Sequence, residues 1–144
     1  MDIVEINESH FEKLISLFKE FAIFEKLPEL MINSVDKMKA EKDLFKGFVA
    51  VDKNDDIVGY TVFFFAYYTW TGKTLYMDDL YVCESHRSKG LGTRLINKVI
   101  EYARSENCTK MRWQVSNWNA TAIKFYENLG ATINHVERNC DLIL

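Results

Sequence analysis

The stretch from Ile57 to Cys83 limits the fold more than any other part of the chain. Ile57 to Tyr68 is long, aromatic and β-branched, the composition of a strand. Thr71-Gly72 makes a tight turn, and Leu75 to Cys83 returns with the same character. Phe48 to Val51 reads as a strand just before, joined by the turn Lys53-Asn54-Asp55-Asp56. Three strands with such short connections predict an antiparallel meander.

Helical spacing surrounds this block. Ile3 to Ile6 predicts a short first strand, with Asn7 and Ser9 as candidate N-caps. Phe11, Leu14, Ile15, Phe18 and Ala22 then mark one helix face, ending near Glu25 and before Pro28. Ser34 caps a shorter helix carrying Val35, Met38 and Phe45. After Cys83 a polar loop leads to Gly90, which opens a helix with Leu91, Leu95, Ile96, Val99, Ile100 and Ala103. Met111 to Val115 alternates as a strand, so Leu75 to Val115 predicts a parallel β–α–β unit. Asn119 caps a helix through Leu129, with Gly130 at the left-handed C′ position. Ala131 to Val136 and Asp141 to Leu144 are expected as closing strands. The order βααβββαβαββ predicts an α/β (α+β) fold: a mixed, mostly antiparallel sheet flanked by helices.

With 144 residues, the chain is expected to be one domain, 1–144. Hydrophobic residues at 48% and aromatics at 14% exclude a disordered chain. The net charge of −3 lacks the basic excess of a nucleic-acid binder. The run from Lys37 to Asp43 alternates in sign and reads as a solvated face. Cys83, Cys108 and Cys140 form no metal or disulfide pattern, and His10, His86 and His135 are dispersed. No metal site, signal peptide or membrane span is expected, which predicts a cytoplasmic protein.

Arg87-Ser88-Lys89-Gly90-Leu91-Gly92-Thr93 joins a strand to a helix. Unpaired amides at a helix start point outward, and the macrodipole favours an anion there. Two glycines permit close backbone approach, and Arg87 and Lys89 add positive charge. Alone, the loop reads equally as a plain strand–helix turn. Gly72-Lys73-Thr74 lacks the upstream glycine of a P-loop. Gly90-Leu91-Gly92 lacks the third glycine of a dinucleotide fingerprint.

The pattern that fits is R-x-x-G-x-G, and here the sequence resembles the GNAT acetyltransferase superfamily. The likeness extends through Tyr67-Tyr68-Thr69-Trp70-Thr71-Gly72-Lys73, Leu75 to Val82, Trp118-Asn119 and Phe125 to Ala131. This set resembles the diamine (spermidine/spermine) and thialysine acetyltransferase branch. The resemblance implies a sheet with one splayed parallel strand pair and helices on both faces. It also implies acetyl-CoA as cosubstrate, a small-molecule amine as acceptor, direct transfer in a ternary complex, and a homodimer.

Residue by residue, the resemblance implies that backbone groups of Leu80, Tyr81 and Val82 pair with pantetheine. Arg87, Ser88, Lys89, Gly90, Leu91, Gly92 and Thr93 would hold the diphosphate, and Asn119 and Ala122 would also contact the cosubstrate. Tyr126 matches the general acid for the leaving thiolate. Periodicity alone reads Tyr126 as helix packing beside Phe125 and Leu129. Asp78 matches the residue that takes part in deprotonating the acceptor. An alkylammonium titrates near ~10.4, so a base is required at neutral pH. Asp78 and Asp79 face opposite sides of a regular strand, and a bulge would let both contribute.

Phe24, Glu25, Trp70, Asp78 and Asp79 match acceptor-side positions, with Glu29 nearby. Trp70 is otherwise a hairpin anchor. Phe24 stands where the family has Tyr, Tyr68 where it has an acidic residue, and a late Trp is absent. Reaction and cosubstrate therefore carry across, while spermidine specificity does not. The alternatives are a protein-directed acetyltransferase and a non-catalytic acyl-CoA-binding module.

Overall fold

The computed structural model describes residues 1–144, which form two compact units, Met1–Trp113 and Gln114–Leu144. The first unit is built on a five-stranded sheet in sequence order: β1 (Asp2–Glu5), β2 (Lys46–Val51), β3 (Ile57–Tyr68), β4 (Gly72–Val82) and β5 (Lys110–Arg112). The first four strands pair antiparallel, and β5 joins β4 in parallel. The meander and the parallel β–α–β unit are both present.

Helices cover both faces of this sheet. α1 (Phe11–Phe24) and α2 (Val35–Ala40) cover one, where Leu14, Leu17 and Met38 pack with Val49, Tyr60 and Tyr81. Fully burying such side chains stabilises by about 1.5–3 kcal/mol each. α3 (Leu91–Ser105) covers the other face. The Tyr102 ring centroid lies 5.3 Å from that of Phe63, tilted, and 6.2 Å from that of Phe48, edge-on, and Leu95 Cδ1 lies 3.3 Å from where a Cβ on Gly59 would sit. Caps follow the sequence. Asn7 accepts from Ser9 N at 2.9 Å and opens a short 3₁₀ turn ahead of α1, and Ser34 accepts from Lys37 N at 3.1 Å to start α2.

The second unit contains α4 (Ala120–Asn128). Asn119 is its N-cap, and Gly130, at φ +91°, ends it in the left-handed conformation. Here the expected elements depart from the structure. Residues 131–136 and 141–144 form no strand. The Asn134 side chain accepts from Val136 N at 2.8 Å and Glu137 N at 3.4 Å, turning the backbone inside the first of these segments. Val136, Leu142 and Ile143 are exposed, so alternation alone supplied no ladder partner. The strand expected over Met111 to Val115 likewise ends at Arg112. No helix is long and apolar enough to cross a membrane.

Candidate active site

Pairing between β4 and β5 stops at Tyr76 and Arg112, while β4 runs on to Val82. Met77 to Val82 therefore extend beyond the last rung of the parallel ladder. Leu80, Tyr81 and Val82, the expected pantetheine edge, lie in this overhang. An unpaired strand edge is a ready template for an extended ligand with amide groups.

The loop after β4 fits an anion. Ser88, at φ +61°, and Gly90, at φ +78°, alternate the backbone into the left-handed region, and no side chain caps α3. Successive amides in such a turn form a concave nest. A Cβ on Gly90 would meet nothing within 4 Å, and one on Gly92 only Val82 Cγ2 at 4.0 Å. Gly90 is suited to its left-handed backbone, whereas Gly92 has no such need, and the open space beside both leaves room for an outside group. Leu91 turns inward and is buried, and Thr93 lies on the exposed first turn. The two basic side chains are tethered to backbone: Arg87 Nε donates to Val82 O at 2.8 Å and Lys89 Nζ to Ser85 O at 3.3 Å.

The start of the overhang is acidic. Asp79 pairs with Val62 and Met77 with Phe63, so Asp78 is the extra residue of a β-bulge. The strand thus bulges where the two aspartates meet. Asp78 is the more exposed of the two, and Asp79 is half-buried, its carboxylate against Tyr60 on the α1 face. The Tyr60 hydroxyl donates to Asp79 Oδ2 at 2.9 Å, and Thr61 Oγ1 donates to Asp79 O at 2.9 Å. Burial, then the Asp78 charge, push the Asp79 carboxyl up to about 7. The Tyr60 hydrogen bond opposes this, and Glu25 adds to the rise. Desolvation also raises Asp78. Tyr60 is fully buried and held well above the usual phenol range, first by desolvation and then by Asp79. Sequence reading missed Tyr60, because its role depends on the strand register.

Phe24 and Glu25 end α1 in the same unit. The Arg87 guanidinium lies 4.9 Å from the Phe24 ring centroid and 5.4 Å from that of Tyr81. Tyr81 donates to Glu20 Oε2 at 3.2 Å. Arg87 thus bridges the loop after β4, the overhang and the end of α1. Trp70 is different. It protrudes from the β3–β4 turn at 97% exposure, so it does not anchor the hairpin by packing. At ~3.3 Å per strand residue, that turn is about 20 Å from Asp79, and Trp70 is not brought to the acidic pair within this unit. In the second unit, Asn119 Oδ1 accepts from Ala122 N at 3.2 Å, so the pair caps α4. Tyr126 is buried, with its ring 5.4 Å from that of Phe125.

A strand overhang followed by a glycine nest at a helix start is the arrangement expected of an acyl-CoA-dependent transferase. The model of the acetyltransferase (GNAT) family matches residues 11–131. The chain belongs to the GNAT family. It is an acetyltransferase with a GNAT fold. Thialysine N-epsilon-acetyltransferase of Caenorhabditis elegans is 35% identical over 130 residues, covering 89% of this chain and 81% of the relative. Spermidine/spermine N(1)-acetyltransferase-like protein 1 of Homo sapiens is 28% identical over 130 residues, covering 83% of this chain and 19% of the relative. A crystal structure of a probable acetyltransferase superposes with a TM-score of 0.81 at 22% identity, covering 100% of this chain and 98% of that one.

Proposed function

We propose that this GNAT enzyme moves an acetyl group from acetyl-CoA to the primary amine of a small cationic acceptor: a diamine, a polyamine or a lysine-like amino acid. The relatives named for thialysine and for spermidine/spermine support that acceptor class. The observation that carries it is electrostatic. Asp78 and Asp79 meet at the β4 bulge, and the Asp79 carboxylate accepts its hydrogen bond from a neutral phenol, the Tyr60 hydroxyl at 2.9 Å. An ammonium group supplies the missing countercharge.

Acetyl-CoA brings an activated thioester. The residues suit it: Leu80, Tyr81 and Val82 offer backbone groups along the overhang, and Ser88 to Thr93 offer the amides of the nest. We assign the acidic pair Asp78 and Asp79 to binding and deprotonating the acceptor. Tyr126, on family resemblance, protonates the departing thiolate. General acid catalysis by such a phenol contributes about 10²–10⁴-fold. The same resemblance supports a homodimer, which sedimentation reads directly; a cytoplasmic location is the remaining expectation, which cell fractionation reads.

Thiol release from acetyl-CoA, measured across diamines, polyamines and basic amino acids, tests this reading. Turnover with at least one small cationic amine is expected, and Tyr126→Phe is expected to lower kcat more than cosubstrate affinity. Inertness towards every primary amine would overturn the function, and an unchanged kcat in Tyr126→Phe would overturn that assignment.

A further inference from the structure

We infer that Asp79, rather than the exposed Asp78 beside it, takes the proton from the acceptor ammonium, and that Tyr60 is the positioning residue that holds and tunes its carboxylate. This rests on the amine-acetylation reading above. The bulge separates the two aspartates. Asp78 is the unpaired extra residue and the more exposed of the two, while Asp79 stays in register opposite Val62. Tyr60 pairs with Tyr81, two residues further along β4, so its ring lies diagonally across from Asp79. From there its hydroxyl meets Oδ2 at 2.9 Å.

Tyr60 is itself immobilised. It is fully buried, with ring centroids of Phe18 at 5.1 Å and Tyr81 at 5.9 Å. A phenol locked this way aims one carboxylate oxygen and leaves the charge to a ligand. Its raised pKa keeps it a donor throughout the working range. Facing this pair are Asp78 and Tyr81 on β4 and Glu25 at the end of α1, with Glu20 and Arg87 beyond them around Tyr81. An ordinary Asp, near ~3.9, is a very weak base towards an ammonium near ~10.4. Asp79, at about 7, closes roughly half of that gap.

The step balances. One ammonium N–H bond breaks and its proton passes to the Asp79 carboxylate. The freed nitrogen pair forms the C–N bond at the carbonyl of the acyl thioester. The C–S bond breaks with its electron pair going to sulfur. The sulfur takes up the second nitrogen proton by way of the general acid, the role proposed above for Tyr126. Asp79 then returns its proton to water, so one ammonium and one thioester give an amide, a thiol and one solvated proton.

The test is the pH profile of kcat/KM with acetyl-CoA and whichever amine turns over. It is paired with a carbon-13 NMR titration of the aspartate carboxyls in the unliganded protein. The wild-type acid limb and the Asp79 carboxyl are both expected near pH 7. Tyr60→Phe removes a donor to the charged form, so both move up by about one pH unit, and the rate at pH 7 falls about fivefold. Asp78→Asn removes a like charge, so both move down. Asp79→Asn abolishes the limb. The opposite signs of Tyr60→Phe and Asp78→Asn cannot come from loosened packing alone. A limb that survives Asp79→Asn, or one that Tyr60→Phe leaves unmoved, overturns the inference. If no amine turns over, the functional reading fails. The titration then still decides the Tyr60–Asp79 pairing: an Asp79 carboxyl near 4, or one unmoved by Tyr60→Phe, refutes it.

Discussion

β3 and β4 run side by side for their whole length, yet their two ends treat charge in opposite ways. Near the turn, cations meet anions and aromatic faces. Lys73 Nζ lies 3.3 Å from Glu106 Oε2 and 4.5 Å from the Phe65 centroid, and Arg112 and Lys110 sit 4.4 and 5.2 Å over Tyr68. At the bulged end, Asp78 and Asp79 are adjacent acids, and the Asp79 carboxylate accepts its hydrogen bond from a neutral phenol. The turn end is an electrostatically satisfied hairpin. The bulged end concentrates carboxylates, an arrangement that the proposed cationic acceptor would relieve. Local conflict of this kind is tolerated where a site gains from it.

Three measurements on two variants probe this contrast, from the largest effect to the smallest. Asp79→Asn is expected to lower kcat/KM about 10²-fold near pH 7.5, the loss that follows removal of a general base. Glu106→Gln, at the other end, is expected to change it less than about twofold. Comparable losses from both would erase the distinction between the ends.

Stability gives the second probe. Between the unfolded carboxyl value of ~3.9 and the folded value of about 7, Asp79 is protonated in the native state and ionised in the unfolded chain. The unfolded state then binds fewer protons, so its contribution to native stability falls as pH rises through that window. Urea unfolding is expected to find Asp79→Asn more stable than wild type by about 1–3 kcal/mol at pH 8, with the gain gone at pH 4. A loss of stability at pH 8 would mean that the carboxylate is satisfied after all.

The third probe is the Lys73–Glu106 ion pair, with both side chains 41% exposed. Its removal in Glu106→Gln is expected to cost less than about 0.5 kcal/mol, vanishing at high salt. A salt-independent cost would show that the turn end also stores electrostatic energy.

Local signals read well from sequence. The β3 run, the α1 face, the Asn119 cap and Gly130 each express a preference over a few residues, and all appear in the structure. Asp78 and Asp79 were legible as candidates because the family resemblance places Asp78 at the deprotonating position and a bulge would let its neighbour contribute. Which one is buried was not legible, since that depends on a one-residue slip against β3. Tyr60 was hidden for the same reason: nothing within its own strand distinguishes it from the aromatics around it. The terminal segments misled because alternation describes a strand's faces and not its hydrogen-bond partner. Asn134 satisfies local amides within the first of them instead.

A crystal structure with coenzyme A bound tests the central claim most directly. The account predicts pantetheine amides paired along Leu80–Val82 and the diphosphate on the amides of Ser88–Thr93. Coenzyme A bound elsewhere, or a diphosphate making no contact with that loop, would contradict it.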